Sequence, residues 1–383
     1  MNRTNFLVLA LLFVIQLSCR EKFDPPEVVS PDPVLIVEGV LVSGAEPTSI
    51  RLSRSSRLDN STNVEAEDGA TVTVEGRDNS SRLLPATGGG FYSASGLDLL
   101  VGQDYRLHIV TANGREYASE FVKVKQTPPI DSIGFRQTED GVRIYTNTRD
   151  LTGNTRYYKW DYDETWEIRS YNYATVAYRG GSIVTPRIMP QEEVFFCWKY
   201  GASANILVNS SEKLTSDVVF EAPIAFFANG DERLGVRYSI LLRQYAIDQA
   251  GFEFYELMKK NTESLGTVFD PQPTEISGNI SCLTDPSELV IGYITASTVS
   301  SKRLFISNGQ LRNFRFQEFC MTENIRNHPD SIRAAFAGGG LMPYDALYGP
   351  AGTTVDTTYW LSAPPQCVDC RTRGGSLLRP SYW

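Results

Sequence analysis

Histidine is almost missing from this chain. Of 383 residues only His108 and His328 carry an imidazole, which excludes a His-rich metal centre. The patterns H-E-x-x-H, G-x-S-x-G and G-x-x-x-x-G-K-[ST] are also absent. Gly338-Gly339-Gly340 runs into Leu-Met-Pro and reads as a turn, not a phosphate cradle. Positive charge is in deficit, with 36 Lys and Arg against 45 Asp and Glu and a net charge of −9. Without a basic stripe there is nothing to neutralise phosphates, so nucleic acid is not an expected partner. Beyond the N-terminus no run approaches the ~20 apolar residues that a spanning helix needs. The expectation is a protein without cofactor, metal or catalytic centre. A hydrolase working with two carboxylates is the one enzymatic alternative that composition leaves open.

What the chain does have begins at its start. Phe6 to Ile15 is an unbroken apolar run, too short to span a bilayer, preceded by Asn2 and Arg3 and followed by Ser18-Cys19. This is the layout of a secretory signal. The lone cysteine after a small residue resembles a bacterial lipoprotein signal, with residues 1–18 removed and Cys19 acylated. Each buried methylene contributes about 0.8 kcal/mol, so several acyl chains hold a protein on a bilayer. Residues 19–33 contain Pro25, Pro26, Pro31 and Pro33, and such a segment is an extended, semi-rigid tether.

Residues 34–128 read as short strands broken by turn formers, among them Asp68-Gly69, Gly88-Gly89-Gly90 and Asn113-Gly114. Both Asn and Gly tolerate the backbone of a tight hairpin turn. In YRLHIV, Tyr105, Leu107 and Ile109 alternate with polar residues, the pattern of a half-buried strand. Evenly spaced strands of this kind predict a β-sandwich, with a cadence resembling immunoglobulin-like or carboxypeptidase-regulatory-like domains. Thr127-Pro128-Pro129 marks the expected boundary to a larger β-rich domain, 129–383.

In that second part, YYKWDYDETWEI puts Trp160, Tyr162, Glu164 and Trp166 on one strand face and Asp161, Asp163 and Glu167 on the other. The first face is either a core face or an aromatic platform for sugar rings, with Glu164 as an acid that burial would make costly without a partner. One helix is expected over about 249–264, capped by Asp248, with Ala250, Phe254, Leu257 and Met258 as its apolar stripe and Gly266 as its stop.

Five cysteines follow Cys19: Cys197, Cys282, Cys320, Cys367 and Cys370. In an exported protein they are candidates for disulfides, and an odd number leaves one over. A thioredoxin-type role for Cys367-x-x-Cys370 lacks its βαβ setting, and a four-cysteine zinc site lacks its second knuckle. Cys197 with Cys282 is the expected bridge.

Several stretches together carry a resemblance: WDYDETWEI, Cys197-Trp198, YSILLRQYAID with the FYELMKKNTES helix, FDPQPTEISGNI and LVIGYITASTVSSKRLFI. To these is added the ending with Cys367, Cys370, Arg371, Arg373, Gly374, Gly375, Pro380 and Trp383. The chain resembles a domain-of-unknown-function family of Bacteroidetes lipoproteins often encoded beside TonB-dependent outer-membrane receptors. The resemblance implies a lipid-anchored outer-membrane protein, facing the cell surface, that helps a TonB-dependent receptor capture a nutrient such as a glycan or peptide. A structural subunit of an envelope assembly is the alternative.

Overall fold

The computed structural model describes residues 33–55, 65–263, 278–316, 319–349 and 357–383. Cys19, the signal sequence and the tether up to residue 32 lie outside the described residues. The protein is mainly β. A single large sheet runs through most of it, in the order 196–202, 157–169, 237–247, 295–307, 35–43, 48–54, 91–94 and 86–88. Two smaller sheets pack on it and enclose two cores.

The first core lies between the 35–54 and 91–94 end of the large sheet and a sheet built around Asp104–Val110. Alternation decides which side chains enter it: Tyr105, Leu107 and Ile109 are all at most 2% exposed. The Asp104–Val110 strand pairs antiparallel with Glu116–Ser119. In the turn between them Gly114 takes φ +82°, and the Asn113 side chain accepts from the Thr111 hydroxyl and the Arg115 amide. Asn113 therefore serves the hairpin by hydrogen bonding and leaves the positive φ to glycine.

This first sandwich also draws on residues far along the chain. Ile280–Cys282 pairs with Glu116–Ser119, and Val290–Ile291 runs parallel to Leu35–Ile36. Ile280, Cys282, Val290, Ile294 and Ala296 belong to the same core as Leu35 and Ile109. The parallel pairing of Val40–Ser43 with Thr295–Thr298 then joins the two halves of the large sheet.

The second core lies between the 157–169, 237–247 and 295–307 strands and a three-stranded sheet of Ile130–Gln137, Gly141–Arg149 and Val218–Ala228. Helix α1, Gln249–Glu263, covers the opposite face of the large sheet at one end. Asp248 caps it, its Oδ1 accepting from the Gly251 amide at 2.8 Å. The apolar side of α1 is rotated from the expected stripe. Phe252 and Tyr255 join Phe254 in facing the sheet, while Ala250 is exposed. Gly251 sits against Tyr293 and Thr295, where a Cβ would come within 3.1 Å of each, and this close approach fixes the helix's rotation.

A third layer contains the hairpin Val176–Gly180 with Ile183–Pro186, the sheet of Glu323–Arg326, Met342–Tyr348 and Thr357–Ala363, and α2, Pro329–Phe336. It is stitched to the body by cysteine. The bridges are Cys197–Cys370 and Cys320–Cys367, and Cys282 is a free, buried thiol. The expected Cys197–Cys282 pairing is thus wrong. Cys282 lies in the first core and Cys197 in the strand at the far edge of the large sheet, and it is the C-terminal segment, paired at Trp198 with Ser376, that meets Cys197.

Candidate functional site

The large sheet has two faces beside the second core, and the Tyr157–Arg169 strand serves both. Its even-numbered side chains point inward. Trp160 is 3% exposed, and its indole N–H donates to Gln244 Oε1 at 2.9 Å. Tyr162 and Trp166 are half-buried against the same core. Glu164, 6% exposed, accepts from the Tyr238 hydroxyl at 2.8 Å and from Arg233 Nη1 at 3.3 Å. Burial, with the Glu164 charge beside it, pushes the Tyr238 phenol far above its ordinary value. The stripe Trp160, Tyr162, Glu164 and Trp166 is therefore a core face holding a partnered carboxylate. A sugar ring has no access to stack on Trp160.

The odd-numbered face is open in its middle and roofed at both ends. Register places Glu167 beside Arg237 and Trp198, Thr165 beside Ser239 and Tyr200, and Asp161 beside Arg243. Asp161 and Asp163 both hold the Arg243 guanidinium, the first at 2.5 Å. These two acids are salt-bridge partners, so the acidic face does not present a pair of free carboxylates for hydrolysis.

One roof is α1. The other is the C-terminal segment, in which several residues of the C-x-x-C-R-x-R-G-G…P-x-x-W pattern have a visible structural role. Cys370 ties the segment to Cys197. Arg371 pairs with Asp369, and Arg373 pairs with Glu232. Burial opposes charge on Glu232, yet Lys199 at 2.7 Å and Arg373 hold its carboxyl below the usual range. Gly374 turns the chain at φ +80°, and a Cβ on Gly375 would lie 2.5 Å from that of Cys197. Only glycine lets the segment lie this close. Beyond the turn, Tyr382 meets Thr165 through a hydroxyl pair at 2.7 Å and stacks on Arg303 at 3.7 Å. The Trp383 indole donates to Glu167 Oε2 at 3.3 Å and packs edge-on against Phe305.

Between this segment and the 187–193 loop lies a cleft of about 610 Å³, within the usual size range of ligand sites, ~300–1,000 Å³. Its walls include Phe196, Trp198, Trp383, Arg169, Arg237 and Arg379. Glu167 is taken by Arg169 and Trp383. Glu193 is taken by the backbone of Val194 and Phe195 and by the Tyr173 hydroxyl. Arg237 lies against the Phe305 and Trp383 rings at 4.5 and 5.1 Å, and among the described residues it has no carboxylate partner. Trp198, 8% exposed, has a buried indole N–H without a partner among the described residues. The cleft thus offers aromatic faces and the Arg237 guanidinium, a set suited to a ring-bearing or planar ligand rich in acceptors. Among the described residues no group of three or more His, Cys, Asp or Glu could hold a metal ion.

Residues 20–303 match the family described as "Domain of unknown function (DUF4249)". The chain belongs to that family. The match includes the strand with Glu167, the strand with Trp198 and the strand with Arg237, while the segment carrying Cys367 to Trp383 follows it. No curated protein matches. Among solved structures, the two fibronectin type-III domain segment from chicken tenascin is similar at 15% identity and a TM-score of 0.15, over 56% of this chain and 90% of that one.

The cleft residues Arg237, Trp198 and Arg379 are not among the site residues expected from sequence. The period-two pattern of RYSILLRQYAI could have placed Arg237, Ser239, Leu241 and Arg243 on one face. Nothing local to residues 196–202 or 376–383 says that they meet.

Proposed function

We propose that this DUF4249 protein is a non-catalytic accessory lipoprotein, anchored through Cys19 to the outer membrane and facing the cell surface. It binds a ligand or partner at a TonB-dependent transporter in nutrient capture. The observation that carries the reading is the cleft beneath the C-terminal segment, where Arg237 lies among aromatic rings without a carboxylate partner among the described residues. A glycan or a peptide fits that chemistry, since both combine acceptor oxygens with surfaces that stack on aromatic rings. The Ser18-Cys19 signal and the proline-rich tether support the anchored placement. Among the described residues no helix is long and apolar enough to cross a membrane.

The test has two parts. Purification of the native protein in mild detergent is expected to recover a β-barrel receptor with it, and isolation as a lone monomer overturns the partnership. Thermal-shift screening against glycans and peptides is expected to give a ligand that raises Tm by mass action, with the rise lost in R237A.

A further inference from the structure

A second cavity lies at the other end of the same sheet face, under α1, far in sequence from the cleft residues at the C-terminus. It has about 250 Å³ and is walled by Val37, Leu207, Phe254, Met258, Ile291 and Tyr293, with Glu38 and Asp161 also on its lining. Lys159 reaches its floor and also lines a neighbouring cavity of similar volume. The ammonium lies 5.5 Å from the centre of the Tyr245 ring and 5.2 Å from that of Tyr255. Among the described residues no carboxylate or carbonyl pairs with it.

The acids that could do so are engaged elsewhere. Asp161, next but one on the same strand, is held by Arg243. Glu38, on the Leu35–Ser43 strand, is more than half exposed and reaches Arg51 at 3.8 Å. Tyr245 and Tyr255 offer ring faces to the ammonium, and the Tyr255 hydroxyl donates to the Tyr293 carbonyl at 3.2 Å. Burial accordingly holds the Lys159 amine below its ordinary value, with Arg243 lowering it further and the Asp161 and Glu38 charges only partly opposing this. A half-buried cation with two aromatic neighbours and no counter-ion is incompletely neutralised. The apolar walls beside it supply what a hydrocarbon tail would need.

We propose that the cavity under α1 is a binding site for a small amphiphile whose anionic head, a carboxylate or a phosphate ester, pairs with Lys159 while its apolar body lies against Phe254, Met258 and Ile291. At a water's share of ~30 Å³ per non-hydrogen atom, the volume admits on the order of eight such atoms. That is a short-chain acid and not a membrane lipid. The site is independent of the cleft at Arg237 and stands whether or not that cleft binds a glycan or peptide.

The experiment titrates the intact soluble body, residues 20–383, with butanoate, butyl phosphate and butanol by calorimetry, using wild type and K159M. Methionine keeps most of the length and apolar stem of lysine and removes the ammonium, and circular dichroism confirms that the variant is folded. Saturable binding of butanoate or butyl phosphate to wild type is expected, weakened at least tenfold in K159M because a charge-assisted contact is lost. Butanol is expected to bind the two proteins alike. Preference for butanoate over butyl phosphate identifies the head as carboxylate, and the reverse as phosphate. Equal affinity of wild type and K159M for both anions overturns the proposal, as does the absence of saturable binding by wild type. A thermal-shift hit that responds to R237A and not to K159M belongs to the cleft and leaves this outcome unaltered.

Discussion

Trp383 lies 5.1 Å from the Arg237 guanidinium and meets the edge of Phe305, which itself lies 4.5 Å from the same guanidinium. The contact joins residues 146 positions apart, and it closes one end of the sheet face on which the cleft is built. Truncating Trp383 removes an aromatic pair, a cation–π contact and the indole bond to Glu167 together. Aromatic pairs contribute about 0.5–1.5 kcal/mol and cation–π contacts about 0.5–1 at partly exposed sites. W383A is expected to lose about 1–2.5 kcal/mol in urea unfolding, and loss below a few tenths would show that the segment is loosely held.

The two bridges differ in the loops they close. Cys197–Cys370 spans 173 residues and Cys320–Cys367 spans 47. Removing a native disulfide costs about 2–5 kcal/mol, and chain entropy makes the longer loop the costlier by about 1 kcal/mol. The double-serine variants, compared by equilibrium denaturation, are expected to rank in that order. A larger effect for Cys320–Cys367 would mean that the third layer, not the long loop, limits stability.

Cys282 is buried and unpaired. In the soluble body beginning at Arg20, thiol titration is expected to find no reactive cysteine in the native protein and one in denaturant without reductant. Mass spectrometry then places the label on Cys282. A label on any other cysteine refutes the pairing.

Glu164 is held by Tyr238 and Arg233 inside the second core. E164L leaves the buried Tyr238 hydroxyl without its acceptor, and breaking a buried charged network costs about 3–5 kcal/mol. Because Asp231 also pairs with Arg233 at 2.7 Å, the lower end is expected. E164Q keeps an acceptor for Tyr238 and is expected to cost less than half as much. Equal losses in the two variants would assign the effect to shape instead of hydrogen bonding.

Lys159 gives a pH-dependent prediction. Its amine is depressed in the folded protein, so the charged form weighs against folding throughout the range below the folded-state value. That penalty fades as pH rises from the folded-state value towards about 10.4, where the unfolded lysine also loses its proton. K159M is therefore expected to be more stable than wild type at neutral pH, with the advantage shrinking in alkali. A constant difference between pH 6 and 10 would show that the ammonium is solvated after all.

The parts of this fold that were legible in sequence are those carried by local periodicity. Alternation in YRLHIV and in YYKWDYDETWEI assigns each side chain its face, and Asp248 with the apolar residues after it marks α1. Glu164 among aromatics was readable as an acid in need of a partner, though Tyr238 and Arg233 were not readable as the partners. The cysteine pairing was illegible because Cys197 meets Cys370 only after the C-terminal segment crosses the sheet edge at Trp198 and Ser376. The first sandwich's debt to Ile280–Ala296 was hidden for the same reason, since strand pairing over that separation leaves no local trace. The cleft is made of such distant meetings, and its residues were found only in three dimensions.

The strand Leu35–Ser43 follows directly on the proposed tether and has ladder partners on both sides, antiparallel to Thr48–Arg54 and parallel to Thr295–Ser307. Tension arriving along the chain from the lipid side would load both rows of hydrogen bonds in shear, many at once, instead of peeling them one by one. An anchored protein tugged by a moving neighbour would thus resist at the seam of its two sandwiches, and the halves would part only after that strand gave way.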